Sequence, residues 1–191
     1  MHVPGIKVVM PSTAYDAKGL LISAVNDGNP VMYIDDRWLY DDEGDVPSEM
    51  YEVPIGIAAT RRSGNDVTIV ATSYMAAQAV KAGDILQQRG IDAEIIDLRS
   101  IKPWDKATVL ASVRKTGRLV VADAAWQTAG VAAEIVATVA GEMYGSLKAS
   151  PQRVCLSDAP APMSAQLEKA YYIGADDVVA GVEKVLSGAF A

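Results

Sequence analysis

The sequence predicts an α/β protein built on a doubly wound, mostly parallel sheet, preceded by a partial βαβ unit. Three observations carry that expectation. From about Ile57 onward, short β-rich runs alternate with helical patterns. Each helical pattern gathers its apolar residues on one face. Ahead of them stands a separate strand–helix–strand pattern, set apart by an acidic stretch containing two prolines. Strands alternating with helices favour parallel pairing through crossover helices.

The first unit pairs the apolar run Lys7-Val8-Val9-Met10 with a helix from Thr13 to about Asn26 and a second run, Val31-Met32-Tyr33-Ile34. Ser12 or Thr13 can cap the helix, Asp16 suits its positive N-terminal end, and Gly28 with Pro30 stops it. One such unit cannot cover both faces of its own sheet. Residues 1–40 therefore need the rest of a sheet, the following domain, or a second copy of the chain.

Between Asp35 and Pro54 the composition turns to Asp35, Asp36, Asp41, Asp42, Glu43, Asp45, Glu49 and Glu52, with little apolar periodicity. This reads as a connector, with residues 41–55 an acidic linker between the first unit and a domain over 56–191. Asp41-Asp42-Glu43-Gly44-Asp45 lacks the spaced ligands and distal glutamate of a calcium loop, so a solvated loop is expected. The later strands are expected at Ile57 to Thr60, Val67 to Thr72, Ala93 to Leu98, Leu119 to Ala122 and Val154 to Leu156. One helix face comprises Met75, Ala76, Ala79, Ala82, Gly83 and Leu86, a second Val109, Leu110 and Val113, a third Val131, Ile135, Val139 and Met143. A last helix starts near Asp176 and turns Val178, Val179, Val182, Val185 and Leu186 inward.

At 191 residues, 50% hydrophobic and 21% charged, the chain can bury a core and lies far from the composition of disorder. A net charge of -7 without any Lys/Arg stripe argues against nucleic acid. No apolar run approaches the roughly 20 residues that span a bilayer, and the opening residues lack the pattern of a secretory signal. The expectation is a cytoplasmic protein without membrane contact. Cys155 is the only cysteine and His2 the only histidine, so an intrachain disulfide, a thiolate cluster or a histidine-rich metal site cannot be built. Cys155 reads as a small buried hydrophobe.

Familiar motifs are missing: there is no G-x-G-x-x-G turn, no phosphate loop and no G-x-S-x-G elbow. Arg61-Arg62-Ser63-Gly64-Asn65-Asp66 reads as a hairpin turn between two β-runs. His2 occupies a terminal segment and reads as structural. Asp97 and Arg99, followed by Pro103 and Asp105, sit at a strand end where open sheets place ligand crevices, though such a pair is more often structural. Trp126, Thr128 and Gly130 mark a second strand-to-helix junction, where Gly130 would let a partner approach and packing is the default for Trp126. From the residues alone, no catalytic constellation follows.

A long ordered string, His2-Val3-Pro4-Gly5-Ile6-Lys7-Val8-Val9-Met10-Pro11-Ser12 and then Tyr15-Asp16-Ala17-Lys18-Gly19-Leu20, resembles the β-subunits of thiamine-diphosphate-dependent 2-oxo acid dehydrogenases of the pyruvate, branched-chain and acetoin type. Similar strings recur at Asp27-Gly28-Asn29-Pro30, Val53-Pro54-Ile55-Gly56, Asp97-Leu98-Arg99-Ser100-Ile101, Lys115-Thr116-Gly117-Arg118-Leu119 and Asp158-Ala159-Pro160-Ala161-Pro162, so the resemblance spans almost the whole chain.

The resemblance implies a remnant of a pyrimidine-binding domain over residues 1–40 and a transketolase C-terminal domain over 56–191. It implies that the glutamate activating the cofactor, and a histidine used with the substrate, belong to upstream segments without a counterpart here. Catalytic and cofactor-binding residues are therefore expected to be none, with thiamine diphosphate and magnesium bound only in the complete complex. One metal expectation transfers: the loop around Ala24, Val25, Asp27 and Asn29 looks like one that holds a monovalent cation, potassium, through backbone carbonyls and the Asp27 and Asn29 side chains. Implied partners are an α-subunit, the N-terminal part of the β-subunit, and a dihydrolipoyl acyltransferase, in a homodimer or heterotetramer.

Two departures bear on these expectations. Relatives often read His-Glu-Ala-Trp-Arg-Thr-Gly-Gly where this chain has Asp123-Ala124-Ala125-Trp126-Gln127-Thr128-Ala129-Gly130. Lys148 stands where an acidic residue is frequent and would oppose a basic docking domain. The activity implied is oxidative decarboxylation of a 2-oxo acid with acyl transfer to lipoamide, the chain alone being inert and serving assembly. The competing readings are a free-standing, non-catalytic interaction module and a piece of a sugar transketolase.

Overall fold

A computed structural model describes residues 1–188; the last residues of the expected 56–191 domain lie outside them. In chain order the elements are β1 (Lys7–Val9), α1 (Ala14–Asn26), β2 (Val31–Tyr33), a 3-10 turn (Arg37–Leu39; a second, Tyr144–Ser146, precedes the last strand), β3 (Ala59–Arg62), β4 (Val67–Ala71) and α2 (Ser73–Gln88). They continue with β5 (Ala93–Asp97), β6 (Ser100–Lys102), α3 (Lys106–Thr116), β7 (Leu119–Trp126), α4 (Val131–Met143), β8 (Gln152–Leu156), α5 (Ala165–Tyr171) and α6 (Ala175–Leu186).

Five strands form the main sheet in the order β3-β5-β4-β7-β8. All neighbours run parallel except β3, which closes one edge antiparallel to β5. Alternation along the strands feeds two cores. Val67, Ile69, Ala71, Ile95, Val120 and Ala122 meet α2 and α6 through Met75, Ala79, Leu86, Val178 and Val182. Val70, Ile96, Leu119 and Val121 meet α3 and α4 through Val109, Val113, Ile135 and Val139. A buried Thr68 hydroxyl on β4, 2.7 Å from Ser112 and 2.8 Å from Thr116, pins α3 to the sheet with its polar groups satisfied. This is the doubly wound arrangement expected, with an antiparallel edge.

The first unit folds as anticipated. β1 and β2 pair in parallel, Lys7 opposite Val31, and the Thr13 side chain caps α1 by accepting the Asp16 N–H at 3.1 Å. Leu20 on α1 packs with Val9 and with Val53 from the end of the acidic connector. Val53 is buried, so the last part of that connector is a packed strap across α1.

Several expectations need correction. Residues 61–66 are no hairpin turn, because β3 and β4 lie on opposite sides of β5. The connection instead passes hard against the start of β5: Asn65 and Asp66 donate their N–H groups to the Asp92 carbonyl, and a Cβ on Gly64 would lie 2.3 Å from the Ala93 backbone carbon. The first β-run is displaced to Ala59–Arg62, and β7 extends to Trp126. β6 and α5 were not anticipated from sequence; α5 has no buried residue, which leaves no apolar periodicity to read.

Lys148 has a structural occupation. Its carbons lie over Gly117, which ends α3 in the left-handed conformation at φ 75°, and its Nζ donates to the Thr116 carbonyl at 3.0 Å. A cation at a helix C-terminus satisfies both the free carbonyl and the dipole.

Candidate functional site

The first unit and the larger sheet are joined by more than the connector. β6 pairs antiparallel with β1, and Met10 donates its N–H to the Arg99 carbonyl at 2.7 Å. At the strand ends, five polar side chains from both units converge. Asp16 comes from the first turn of α1 and Ser12 from the loop before it; Arg61 comes from β3, Asp97 from the end of β5, and Arg99 from the turn that follows at φ 57°.

Arg61 donates to Asp97 through Nη2 at 2.7 Å and Nε at 3.1 Å, and forms a close ion pair with Asp16. Arg99 reaches the other Asp16 oxygen at 3.0 Å and donates to the Ile57 carbonyl at 2.9 Å. The Ser12 hydroxyl donates to Asp97, which also accepts the Arg99 N–H at 3.1 Å. Asp16 and Asp97 are both 0% exposed. Burial pushes the Asp97 carboxyl above the usual carboxylate range, against the pull of Arg61 and Ser12. Two Arg61 nitrogens thus converge on one Asp97 oxygen, and each Asp16 oxygen meets a different arginine, which makes the cluster a lock between units. Neither carboxylate is left free to move a proton or hold a cation.

Asp97 and Arg99 are the pair flagged from sequence, and the structure brings them together at the strand end as expected. The decisive partners were missed. Asp16 read as a helix-dipole residue and Arg61 as part of a turn, and no spacing in sequence links them. Asp105 stands apart from the lock. It caps α3 by accepting the Thr108 N–H at 3.0 Å and braces the start of the domain by accepting the Ala58 N–H at 3.0 Å.

Two clefts open beside the lock. The larger, about 730 Å³, runs between the acidic loop at Asp41, Asp42, Glu43 and Asp45 and the apolar flank of α2 at Ala76, Ala77 and Val80. The smaller, about 270 Å³, is walled by Pro11, Ala17, Tyr33, Leu39 and Tyr40 and edged by Asp35 and Asp36. Ser12, Thr13, Ala14 and Asp42 line both.

The second junction differs from expectation. Trp126 is 55% exposed, and its indole N–H donates to the Ala159 carbonyl at 3.0 Å and to the Tyr171 hydroxyl at 2.9 Å. Core packing is not its role; it ties β7 to α5. Thr128 binds Asp158 through backbone and hydroxyl, and that hydroxyl holds the Asp158 carboxyl below its ordinary range. At Gly130 the close approach seen is made within the chain. A Cβ there would lie 2.6 Å from the Trp126 carbonyl, and Asp123 already accepts the Ala132 N–H at 3.3 Å at the α4 N-terminus. Cys155 is half-buried, and burial lifts its thiol to about 11, unlike a nucleophile. His2 lies in the exposed N-terminal segment.

A strained residue also went unnoticed in the sequence. Ser73 begins α2 at φ 49°, and its Oγ is buried without a hydrogen-bond partner. The left-handed conformation there suits glycine.

The loop expected to take a monovalent cation lies at the end of α1. Ala24 and Val25 belong to its last turn, where carbonyls lack helical partners. Asp27 follows as the C-cap, with one carboxylate oxygen on the Lys7 ammonium and the other accepting Asn29 Nδ2 at 2.9 Å. For thiamine diphosphate with magnesium the residues present do not fit. Among the described residues no three His, Cys, Asp or Glu side chains gather in a metal-binding geometry. The buried strand-end carboxylates are committed to arginines.

Comparison with known proteins gives three consistent findings. The family model for the transketolase C-terminal domain matches residues 56–178. The chain is 45% identical over 187 residues to the β-subunit of acetoin:2,6-dichlorophenolindophenol oxidoreductase of Cupriavidus necator, covering 98% of this chain and 55% of that protein. It is 43% identical over 184 residues to the β-subunit of the pyruvate dehydrogenase E1 component of Bacillus subtilis, covering 96% and 56%. It thus spans little more than half the length of these relatives. Among solved structures, a split-gene transketolase described as an inactive β4 tetramer superposes with a TM-score of 0.82 at 29% identity, over 98% of this chain and 60% of that one.

Proposed function

Because the chain belongs to the transketolase C-terminal domain family, we propose that it is the β-subunit portion of a 2-oxo acid dehydrogenase first component, inactive alone and serving subunit assembly. The observation that carries this reading is the 42–45% identity to pyruvate and acetoin dehydrogenase β-subunits along nearly the whole chain, joined to a match of only about 55% of their length. In the complete complex the reaction would be oxidative decarboxylation of a 2-oxo acid with the acyl group passed to lipoamide. Thiamine diphosphate with magnesium would supply the carbanion chemistry from outside this chain.

The contribution of these residues is structural. The Asp16–Arg61–Asp97–Arg99 lock sets the first unit on the larger sheet, so that an N-terminal portion of the β-subunit and an α-subunit would meet a preformed surface. The likeness to a β4 assembly supports an oligomer, and we propose a homodimer or a heterotetramer. Lys148 holds the end of α3 yet stays exposed, so its charge still opposes a basic docking domain and the reading does not require a dihydrolipoyl acyltransferase to dock there. We place the complex in the cytoplasm. We also keep the loop at Ala24, Val25, Asp27 and Asn29 as a potassium site that would compete with Lys7 for Asp27.

Calorimetric titration of thiamine diphosphate with magnesium tests the reading, first into the chain alone and then with an α-subunit and the remaining N-terminal β-portion supplied. Silence alone, then binding and decarboxylation in the mixture, is expected. Tight binding by the chain alone would refute it.

A further inference from the structure

The whole formal charge of this chain sits in one segment. Between Asp35 and Pro54, eight carboxylates face the single Arg37, leaving that stretch at -7, which equals the net charge of all 191 residues. The remainder of the molecule is balanced. Among the described residues, Asp41, Asp42, Glu43 and Asp45 have no side-chain ion-pair or hydrogen-bond partner in the protein, and all four are exposed. They stand over the two adjoining clefts, whose walls are apolar: Ala76, Ala77 and Val80 on one side, Pro11, Leu39 and Tyr40 on the other.

We propose that these paired clefts form a docking groove for a basic polypeptide segment of a partner, arginine- or lysine-rich and carrying apolar side chains between its charges. The occupant follows from charge complementarity. An apolar floor alone would accept any hydrophobic segment, but an unpartnered carboxylate rim repels acidic ones and both nucleic acid and anionic lipid. The cationic side at the large cleft is weak: Arg61 is consumed by Asp16 and Asp97, which leaves the exposed Lys81. Two clefts sharing Ser12, Thr13, Ala14 and Asp42 suit an extended segment that places apolar side chains in each while its cations meet the rim. Long basic side chains can lay their stems on the Tyr40 and Ala77 surfaces and keep their charges at the carboxylates. This groove is independent of the assembly reading and stands whether or not the chain belongs to a dehydrogenase.

The test is fluorescence polarisation with the full chain and an end-blocked, fluorescein-labelled nonapeptide of alternating arginine and leucine. Two control peptides separate the contributions: a nonapeptide of lysine alone, and one of alternating glutamate and leucine. The arginine–leucine peptide is expected to bind at least about tenfold more tightly than either control, and several-fold more weakly at high salt. The variant Asp41→Asn/Asp42→Asn/Glu43→Gln/Asp45→Asn is expected to lose about tenfold in affinity with its melting temperature unchanged, since these side chains hold nothing in the fold. Ala77→Met, which fills the floor of the large cleft from a half-buried position on α2, should weaken the peptide while sparing the lysine control. Equal binding of the lysine and arginine–leucine peptides would reduce the surface to a diffuse charge and overturn the groove. Unchanged affinity in the fourfold neutralised variant would overturn it as well.

Discussion

Replacing Asp16 with asparagine tests whether the polar lock joins the two units. The substitution keeps shape and volume, so no cavity complicates it, but it removes one carboxylate that faces two guanidinium groups. Arg61 retains Asp97, whereas Arg99 loses its carboxylate partner and keeps only carbonyls at Ile57 and Ala58. Breaking a buried ion pair on one side costs about 3–5 kcal/mol. The arginines are 25% and 12% exposed at their side chains, which places this case at the lower end, about 3 kcal/mol. For a chain of this size that corresponds to a fall in melting temperature of about 6–12 °C. Urea denaturation should report the loss, and hydrogen exchange should show it first in α1 and β6, where the two units meet. Pairing Asp16→Asn with Arg99→Met should recover part of the cost, because the unpaired cation is then gone. A loss below about 1 kcal/mol, or equal deprotection across both units, would refute the lock.

Other outcomes follow from single residues. Ser73→Gly should stabilise the chain by about 1 kcal/mol in urea denaturation, since relief of the left-handed backbone and of the unpartnered hydroxyl exceeds the entropy glycine adds. Ser73→Ala, which keeps the strained φ, should gain less. Gly64→Ala should cost more than about 2 kcal/mol by the same measurement, because the Ala93 backbone cannot yield to a Cβ 2.3 Å away. Asp105 is held below its ordinary value by the Ala58 and Thr108 donors, which outweigh burial. A depressed folded value means its stabilisation is present above about pH 4, the unfolded value, and is lost as pH falls from there through the lower folded value. Asp105→Asn should therefore flatten the acid limb of a stability-versus-pH curve. If the α1 loop takes potassium, that ion should raise the melting temperature more than sodium, and Asp27→Asn should abolish the difference.

The order of strands and helices was legible in the sequence because each core-facing helix shows an apolar stripe and each central strand an apolar run, and these periods depend only on local geometry. β6 was not legible. Three residues, Ser100–Lys102, are too few to show a period, and their pairing with β1 depends on a segment some ninety residues earlier in the chain. The placement of β3 was misread for a related reason: two β-runs joined by a short glycine-containing stretch look alike whether they pair or straddle a third strand. Trp126 shows the limit for side chains, since a large aromatic predicts burial while its indole N–H here serves a surface tie to α5.

What the sequence determined by itself was the class of fold, the βαβ unit with its Thr13 cap, the acidic connector and the likeness to dehydrogenase β-subunits. Only the tertiary structure decided what Asp16, Arg61, Asp97 and Arg99 do together, where Lys148 points, and that the connector's carboxylates overhang apolar clefts. Periodicity and composition are properties of neighbours along the chain. A salt-bridged lock joins positions 36 to 83 residues apart, and its partners are chosen by which strand ends the sheet brings side by side.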